Sequence, residues 1–130
     1  MQTSKEHDFL VKRLIDQFLK KGLKVSLANY PNYGKPMKIK RHSPDVLAID
    51  KKNGLVYIGL AKTCDELSDQ ITKEQFTDFS RRLSKTQTSE KIRIPFYICV
   101  PENCKSRVKE SFEEFGIPWK ENIVVIGLQK

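Results

Sequence analysis

The stretch DVLAIDKKNGLVYIGLAK, residues 45–62, consists of two apolar segments joined by a short polar link. The link ends in Asn53-Gly54, and Asn-Gly is the strongest short signal for a β-hairpin because both central residues of a type I′ turn need positive φ. A two-residue turn at this point predicts strands over residues 45–50 and 55–61. The hairpin decides the fold, because its register determines which side chains share a face of the sheet.

This register places a carboxylate and an ammonium group side by side at one end of the hairpin. Asp45 opposes Lys62, and directly opposed residues have Cβ atoms about 4.5–5.5 Å apart. Because side chains alternate between faces, the face that carries this pair is otherwise apolar. The pair has two interpretations: a cross-strand ion pair worth about 0.2–1 kcal/mol, or the carboxylate and lysine of a site that hydrolyses phosphodiester bonds.

Apolar periodicity predicts the elements outside the hairpin. We expect helices over residues 4–21, 72–83 and 105–115, and strands over residues 23–27, 95–100 and 123–127. The polar segment 28–43 is expected to form a loop, with room for a short strand near residues 38–40. The order α-β-β-β-α-β-α-β describes a single α/β domain over residues 1–130, with a central mixed sheet flanked by helices.

Composition narrows the class of protein. The chain has 130 residues, which is enough for one hydrophobic core. It contains no apolar run long enough to span a bilayer and begins without a signal-peptide pattern, so we expect a cytoplasmic protein that does not bind membranes. The net charge of +8 favours a polyanionic partner, because cationic surfaces bind phosphates and release counterions.

Three unevenly spaced cysteines do not resemble a disulfide framework or a zinc site. Cys99 lies in an apolar run and is expected to be a small buried side chain. All three cysteines, Cys64, Cys99 and Cys104, are therefore interpreted as structural and unpaired.

Two short sequences around the hairpin resemble a nuclease signature. Ser43-Pro44-Asp45-Val46 precedes the hairpin and Ile58-Gly59-Leu60-Ala61-Lys62 ends it. Together they look like the P-D…(D/E)-x-K motif of the PD-(D/E)xK superfamily, which includes archaeal Holliday-junction resolvases, restriction endonucleases and RecB-type exonucleases. The expected element order is similar to the restriction-endonuclease-like core of that superfamily. The likeness covers most of the chain as topology but only a few residues as motif.

The resemblance implies roles for individual residues. Asp45 would be a ligand of a Mg²⁺ or Mn²⁺ ion, Lys62 the catalytic lysine, and the Ala61 carbonyl a further metal ligand. Glu6 matches the first-helix glutamate that completes the metal site in resolvase-like members. The alternative for Glu6 is a capping box with Thr3 at the start of the first helix.

The chain departs from the superfamily at Leu60, where an aspartate or glutamate is expected. Some restriction endonucleases take this acid from the following helix, which would be Glu74 here, or less favourably Glu66 or Asp69. The other interpretation is a domain that binds without cutting.

The second helix carries a further likeness to the superfamily. Gln75 and Phe79 resemble the Gln-x-x-x-Tyr motif of RecB-like members. The alternatives are that Gln75 caps the helix beside Thr72 and that Phe79 belongs to the core.

Basic and aromatic residues outline a nucleic-acid surface, with DNA favoured as the partner. They lead directly into Asp45 or end the second helix: Tyr33, Lys35, Lys38, Lys40, Arg41, Arg81 and Arg82. The alternative is a set of solvated charges that serve solubility.

The sequence thus leaves three functions open: metal-dependent cleavage of DNA, binding without cleavage, and protein interaction with a structural Asp45–Lys62 pair. A homodimer is expected only by analogy with resolvases.

Overall fold

The computed structural model describes residues 5–85 and 91–129. Within these residues, three α-helices form: α1 Lys5–Lys20, α2 Gln70–Ser80 and α3 Arg107–Phe115. Seven strands accompany them: β1 Lys24–Ala28, β2 Val46–Ile49, β3 Val56–Ala61, β4 Leu83–Lys85, β5 Lys91–Arg93, β6 Phe96–Pro101 and β7 Ile123–Leu128. Two short 3₁₀ helices, Cys64–Ser68 and Glu102–Cys104, follow β3 and β6.

Five of the strands form one mixed sheet in the order β1-β2-β3-β6-β7. The pairs β1–β2 and β2–β3 are antiparallel, whereas β3, β6 and β7 are parallel. The expected α/β class with a mixed sheet is confirmed. The structure adds a small two-stranded sheet, β4–β5, between α2 and β6. In the segment expected to hold a short strand, only an isolated bridge joins Ile39 to His42.

Helices cover both faces of the sheet. Helix α1 packs on one face, where its apolar stripe, including Leu14 and Phe18, contacts Ala48 and Ala61. Gly59 permits this close approach, because a Cβ atom there would lie 2.7 Å from Leu14. Helices α2 and α3 pack on the other face. Among the described residues, no helix is both long and apolar enough to cross a bilayer.

The predicted register of the hairpin is wrong by two residues. Leu47 opposes Ile58 rather than Leu60. The strands are joined by the four-residue loop 51–54, which is closed by the bond from the Asp50 N–H to the Leu55 carbonyl (2.9 Å), and Gly54 has φ +74°. The Asp50 carboxylate accepts the N–H of Lys52 (2.9 Å), and this local bond favours the longer loop over a type I′ turn.

A shift of two residues leaves each side chain on its predicted face, because side chains alternate with a period of two. The prediction that Asp45 opposes Lys62 directly is therefore wrong. The expectation that both occupy one end of the β2–β3 pair is confirmed, since Asp45 immediately precedes β2 and Lys62 immediately follows β3.

The prediction for the cysteines is wrong in one respect. A disulfide joins Cys64, in the first 3₁₀ helix, to Cys104, in the second. The two cysteines lie 40 residues apart, so sequence spacing gave no signal for the pairing. Cys99 is fully buried, as predicted, and burial raises the pKa of its thiol to about 12. Disulfides are rare in cytosolic proteins, so this disulfide does not support the predicted cytoplasmic location. That location stays a prediction.

Candidate functional site

Asp45 lies where strands β2 and β3 stop pairing. Its backbone N–H donates to the Gly59 carbonyl (2.9 Å), and its carbonyl accepts the N–H of Asn29 (2.7 Å). Its carboxylate accepts the backbone N–H of Ala61 (2.8 Å), so the side chain continues the ladder where backbone pairing ends. Only 6% of Asp45 is exposed. A buried carboxylate held by three strands or loops has a well-defined position.

The carbonyl of Ala61 is on the same side of β3 as this carboxylate. The N–H and C=O groups of one strand residue point to the same side of the strand. Because the Ala61 N–H binds Asp45, its carbonyl also points toward the β2 side. The two oxygen donors that the resemblance implies therefore lie on one side of β3.

His7 contacts Asp45 from the face of the sheet that helix α1 covers. Its Nε2 atom lies 3.4 Å from the Asp45 Oδ2 atom, and the His7 side chain is largely buried. Burial opposes the charged imidazolium, but the hydrogen bond to Asp45 and the charges of Asp45 and Glu66 outweigh it and raise the pKa of His7 above 6.5. Sequence reasoning missed this residue and named its neighbour Glu6.

The signal for His7 was its helical position. His7 precedes the buried residues Leu10, Val11 and Leu14 by three, four and seven positions, so it belongs to the buried stripe of α1. Glu6 is off this stripe and lines a separate cavity with Pro101, Glu102, Asn103, Leu128 and Gln129. The alternative partner of Glu6, Thr3, lies outside the described residues.

Lys62 is as buried as Asp45, with 6% of its surface exposed. Its backbone N–H donates to the Cys99 carbonyl at 2.9 Å, which fixes the chain at the end of β3. Burial lowers the pKa of the Lys62 amine, and the negative charges of Glu66, Asp45 and Asp69 oppose that shift. Among the described side chains, Lys62 forms no direct ion pair with Asp45. The two groups interact through space across the end of the sheet.

Glu66 is the acid with the largest charge effect on Lys62. One of its carboxylate oxygens accepts both the backbone N–H of Thr63 (2.9 Å) and the Thr63 hydroxyl (3.0 Å). These bonds hold Glu66 against the start of the first 3₁₀ helix, two residues from Cys64. From the sequence, Glu66 and Asp69 were both less favoured than Glu74 as the relocated acid.

Glu74, the acid favoured from the sequence, lies in a different cluster. Its carboxylate pairs with His42 Nε2 (2.8 Å) and Arg41 Nη1 (3.6 Å) and accepts a bond from Gln70 (3.2 Å). Arg41 also makes a two-pronged contact with Asp78, at 3.0 and 2.8 Å. We call the residues Arg41, His42, Glu74 and Asp78 the loop clamp. They join the loop before β2 to helix α2 rather than reaching Asp45.

Leu60 and Phe79 belong to the core, since they are 1% and 0% exposed. Gln75 is 8% exposed, and its Oε1 atom is buried without a hydrogen-bond partner among the described residues. A buried amide oxygen without a partner costs free energy, so Gln75 is poorly explained by packing alone.

The predicted nucleic-acid residues divide into two groups. Arg41 is engaged by the loop clamp, and Tyr33 is half-buried beside the α1 face. Five cations are exposed: Lys35, Lys38, Lys40, Arg81 and Arg82. The Lys35 amine donates to the Asn29 side-chain oxygen (3.2 Å), and the Asn29 amide lies 3.5 Å from the Asp45 carboxylate. Lys35 is thus the exposed cation that hydrogen bonding connects to Asp45.

The side chains present do not form a metal site by themselves. Among the described residues, no three His, Cys, Asp or Glu side chains are grouped so that they could hold an ion. Mg²⁺ and Mn²⁺ prefer oxygen ligands, and Leu60 removes the second carboxylate that the resemblance requires. Asp45 and the Ala61 carbonyl would therefore need donors from outside this set.

The geometry can be weighed against known proteins. No family model, no curated protein and no solved structure matches this chain. The interpretation of the site therefore depends on its own contacts and charges.

Proposed function

We propose that this chain is a nucleic-acid-binding protein with a restriction-endonuclease-like core, and that the end of the sheet at Asp45 and Lys62 receives the phosphodiester backbone. The observation that carries the proposal is the burial of both charged groups at this end. Lysine is almost never fully buried without a partner, and burying its charge costs stability. Ionisable groups with shifted pKa values are concentrated at functional sites.

The charge distribution supports a polyanionic ligand. Lys35 is joined to Asp45 through Asn29, and Lys38 and Lys40 are exposed on the same loop. A phosphate chain that crosses this loop would meet these cations and lie beside the buried pair. Because such contacts recognise phosphates rather than bases, we expect affinity that depends on salt more than on sequence.

Binding without cleavage is the first candidate. Leu60 stands where the superfamily has its second acid, and a buried leucine side chain has no atom that can bind a metal. Metal-dependent cleavage of DNA, as the resemblance implies, is the second candidate. The observation that favours it is Glu66, a second acid whose charge acts on both Lys62 and His7. A homodimer stays a prediction from analogy.

The binding proposal is tested by titrating labelled duplex, single-stranded and four-way-junction DNA, and duplex RNA, with the protein at low salt. We expect the double variant Lys35→Glu/Lys40→Glu to bind at least about tenfold more weakly and with a smaller salt dependence, because phosphate contacts are lost. Lys51→Glu/Lys52→Glu is the matched control, since it changes the net charge equally and both lysines lie in the hairpin loop at the opposite end of β2 and β3. Absence of binding to every nucleic acid at low salt would refute the proposal.

Cleavage is tested separately, with the same substrates and Mg²⁺ or Mn²⁺. The second candidate requires cleavage by the wild type that is lost in Asp45→Asn, Lys62→Met and Glu66→Gln. Glu74→Gln serves as the control, because that acid belongs to the loop clamp. Activity that survives Glu66→Gln but not Glu74→Gln would show that Glu66 was wrongly chosen. Gain of cleavage only in Leu60→Glu would identify the wild type as a binding protein.

A further inference from the structure

The sheet has an apolar cavity on the face that carries α2 and α3. The cavity has a volume of about 320 Å³ and lies over β1, β2 and the beginning of β3. Its floor includes Leu27, Ile49 and Ile58, and the loop between β1 and β2 forms one wall. Helices α2 and α3 pack with Phe96 and Ile98 of β6, so they leave this half of the face to loops. A volume of this size is at the lower end of the range for small-molecule sites.

Two features of the rim indicate what the cavity would hold. Lys38 and Arg82 line it, and no acidic side chain lines it among the described residues. Met37, which also lines it, is 62% exposed and adds apolar surface at its mouth. An apolar interior with two cations at its edge is complementary to a molecule that has an apolar body and an anionic end.

The lining distinguishes this ligand from a nucleic-acid base. A base inserted into a pocket needs hydrogen-bond partners for its edge and flat side chains for stacking. The described residues that line the cavity include no aromatic side chain, and Ser26 is the uncharged polar side chain among them. Aliphatic side chains suit an alkyl chain instead.

We infer that this cavity binds a small amphipathic anion, such as a medium-chain carboxylate, with its alkyl chain over Ile49 and Ile58 and its carboxylate between Lys38 and Arg82. This is a second site, which shares Lys38 with the cationic loop of the first proposal but includes neither Asp45 nor Lys62. Binding there does not depend on the proposed nucleic-acid function.

The test uses decanoate and decyltrimethylammonium below their micellar concentrations, followed by methyl-resolved NMR and calorimetry. In the wild type we expect decanoate to shift the methyl resonances of Met37, Ile49 and Leu27, and decyltrimethylammonium at the same concentration to leave them nearly unchanged. Lys38→Glu/Arg82→Glu should weaken decanoate binding about tenfold and reverse the preference toward the cation. Leu27→Trp, which fills the cavity, should abolish both effects.

Lys105→Glu/Lys109→Glu is the matched control, because these lysines line a different cavity beside Trp119. It should leave decanoate binding unchanged. Equal binding of the anionic and cationic amphiphiles, shifts that follow Lys105 and Lys109 instead, or no binding of decanoate would each overturn the inference. No nucleic acid is present in this experiment, so its failure would not affect the proposal for Asp45 and Lys62.

Discussion

The loop clamp and the Asp45–Lys62 site both involve the loop before β2, and they differ in how their charged groups are paired. In the loop clamp, Arg41 is matched to Asp78 with two short bonds. At the site, Lys62 is buried without a direct bond to Asp45, and burial lowers the pKa of its amine. Removing one partner of a buried charge pair costs stability, whereas an incompletely compensated buried charge already costs stability in the native protein, and such groups are concentrated at functional sites. This contrast supports the proposal that the loop clamp is structural and that the site is functional.

Loss of the disulfide should have the largest effect on stability, and it should affect the Asp45–Lys62 site more than the loop clamp. Cys64 follows Lys62 by two residues and tethers the helix that carries Glu66, whereas no clamp residue is linked by it. We expect reduction, or Cys64→Ser/Cys104→Ser, to lower the free energy of unfolding by about 2–4 kcal/mol. Amide exchange should increase at Glu66 more than at Asp78. Cys99→Ala keeps the disulfide and should lose the same stability on reduction as the wild type. Cys64→Ser/Cys104→Ser should be insensitive to reductant, so a response of that double variant would contradict the assignment.

Breaking the loop clamp should have the next largest effect. Asp78 is buried, and Asp78→Asn removes the charge that Arg41 contacts with two bonds. We expect the free energy of unfolding, measured with urea, to fall by about 1–2 kcal/mol, while nucleic-acid affinity changes little. Asp16→Asn applies the same change to the exposed Lys12–Asp16 pair and should have little effect. Comparable losses in the two variants would show that the loop clamp is an ordinary surface ion pair.

The contact between Arg41 and Asp78 should also make the stability of the protein depend on pH in the acid range. The Arg41 guanidinium lowers the pKa of the Asp78 carboxyl below its ordinary value of 3.8. Its stabilising contribution is therefore complete above 3.8 and is lost as the pH falls through the lower pKa of the folded state. We expect the difference in stability between the wild type and Asp78→Asn to shrink below pH 3.8. A constant difference across this range would mean that Asp78 is not ionised in the folded protein.

The smallest effect on stability is expected at the site, with the opposite sign. Lys62→Met replaces a buried amine by an apolar side chain of similar length, so the free energy of unfolding should rise by about 1 kcal/mol at neutral pH. Because the folded pKa of Lys62 is lowered, the unfolded state binds more protons between that value and 10.5, and wild-type stability should rise with pH there. The variant should lack this rise. If Lys62→Met is instead destabilised, Lys62 is structural and the comparison fails.

Local sequence patterns were sufficient for the three α-helices, for the strands of the five-stranded sheet and for the faces of β2 and β3, but not for the small β4–β5 sheet. Alternation predicted that Asp45 and Lys62 share one end of the β2–β3 pair, and an error of two residues in register did not change that result. The register itself depended on the bond that the Lys52 N–H donates to the Asp50 carboxylate, which competes with the Asn-Gly turn signal.

What the sequence by itself determined is the order of helices and strands, the mixed α/β class and the shared position of Asp45 and Lys62, because periods of 2 and 3.6 residues are properties of the local backbone. Only the tertiary structure decided that His7 contacts Asp45, that Glu66 rather than Glu74 acts on Lys62, that Arg41 is occupied by Asp78, and that Cys64 and Cys104 are joined. These facts depend on how segments distant in the chain pack together, and local periodicity carries no information about those distances.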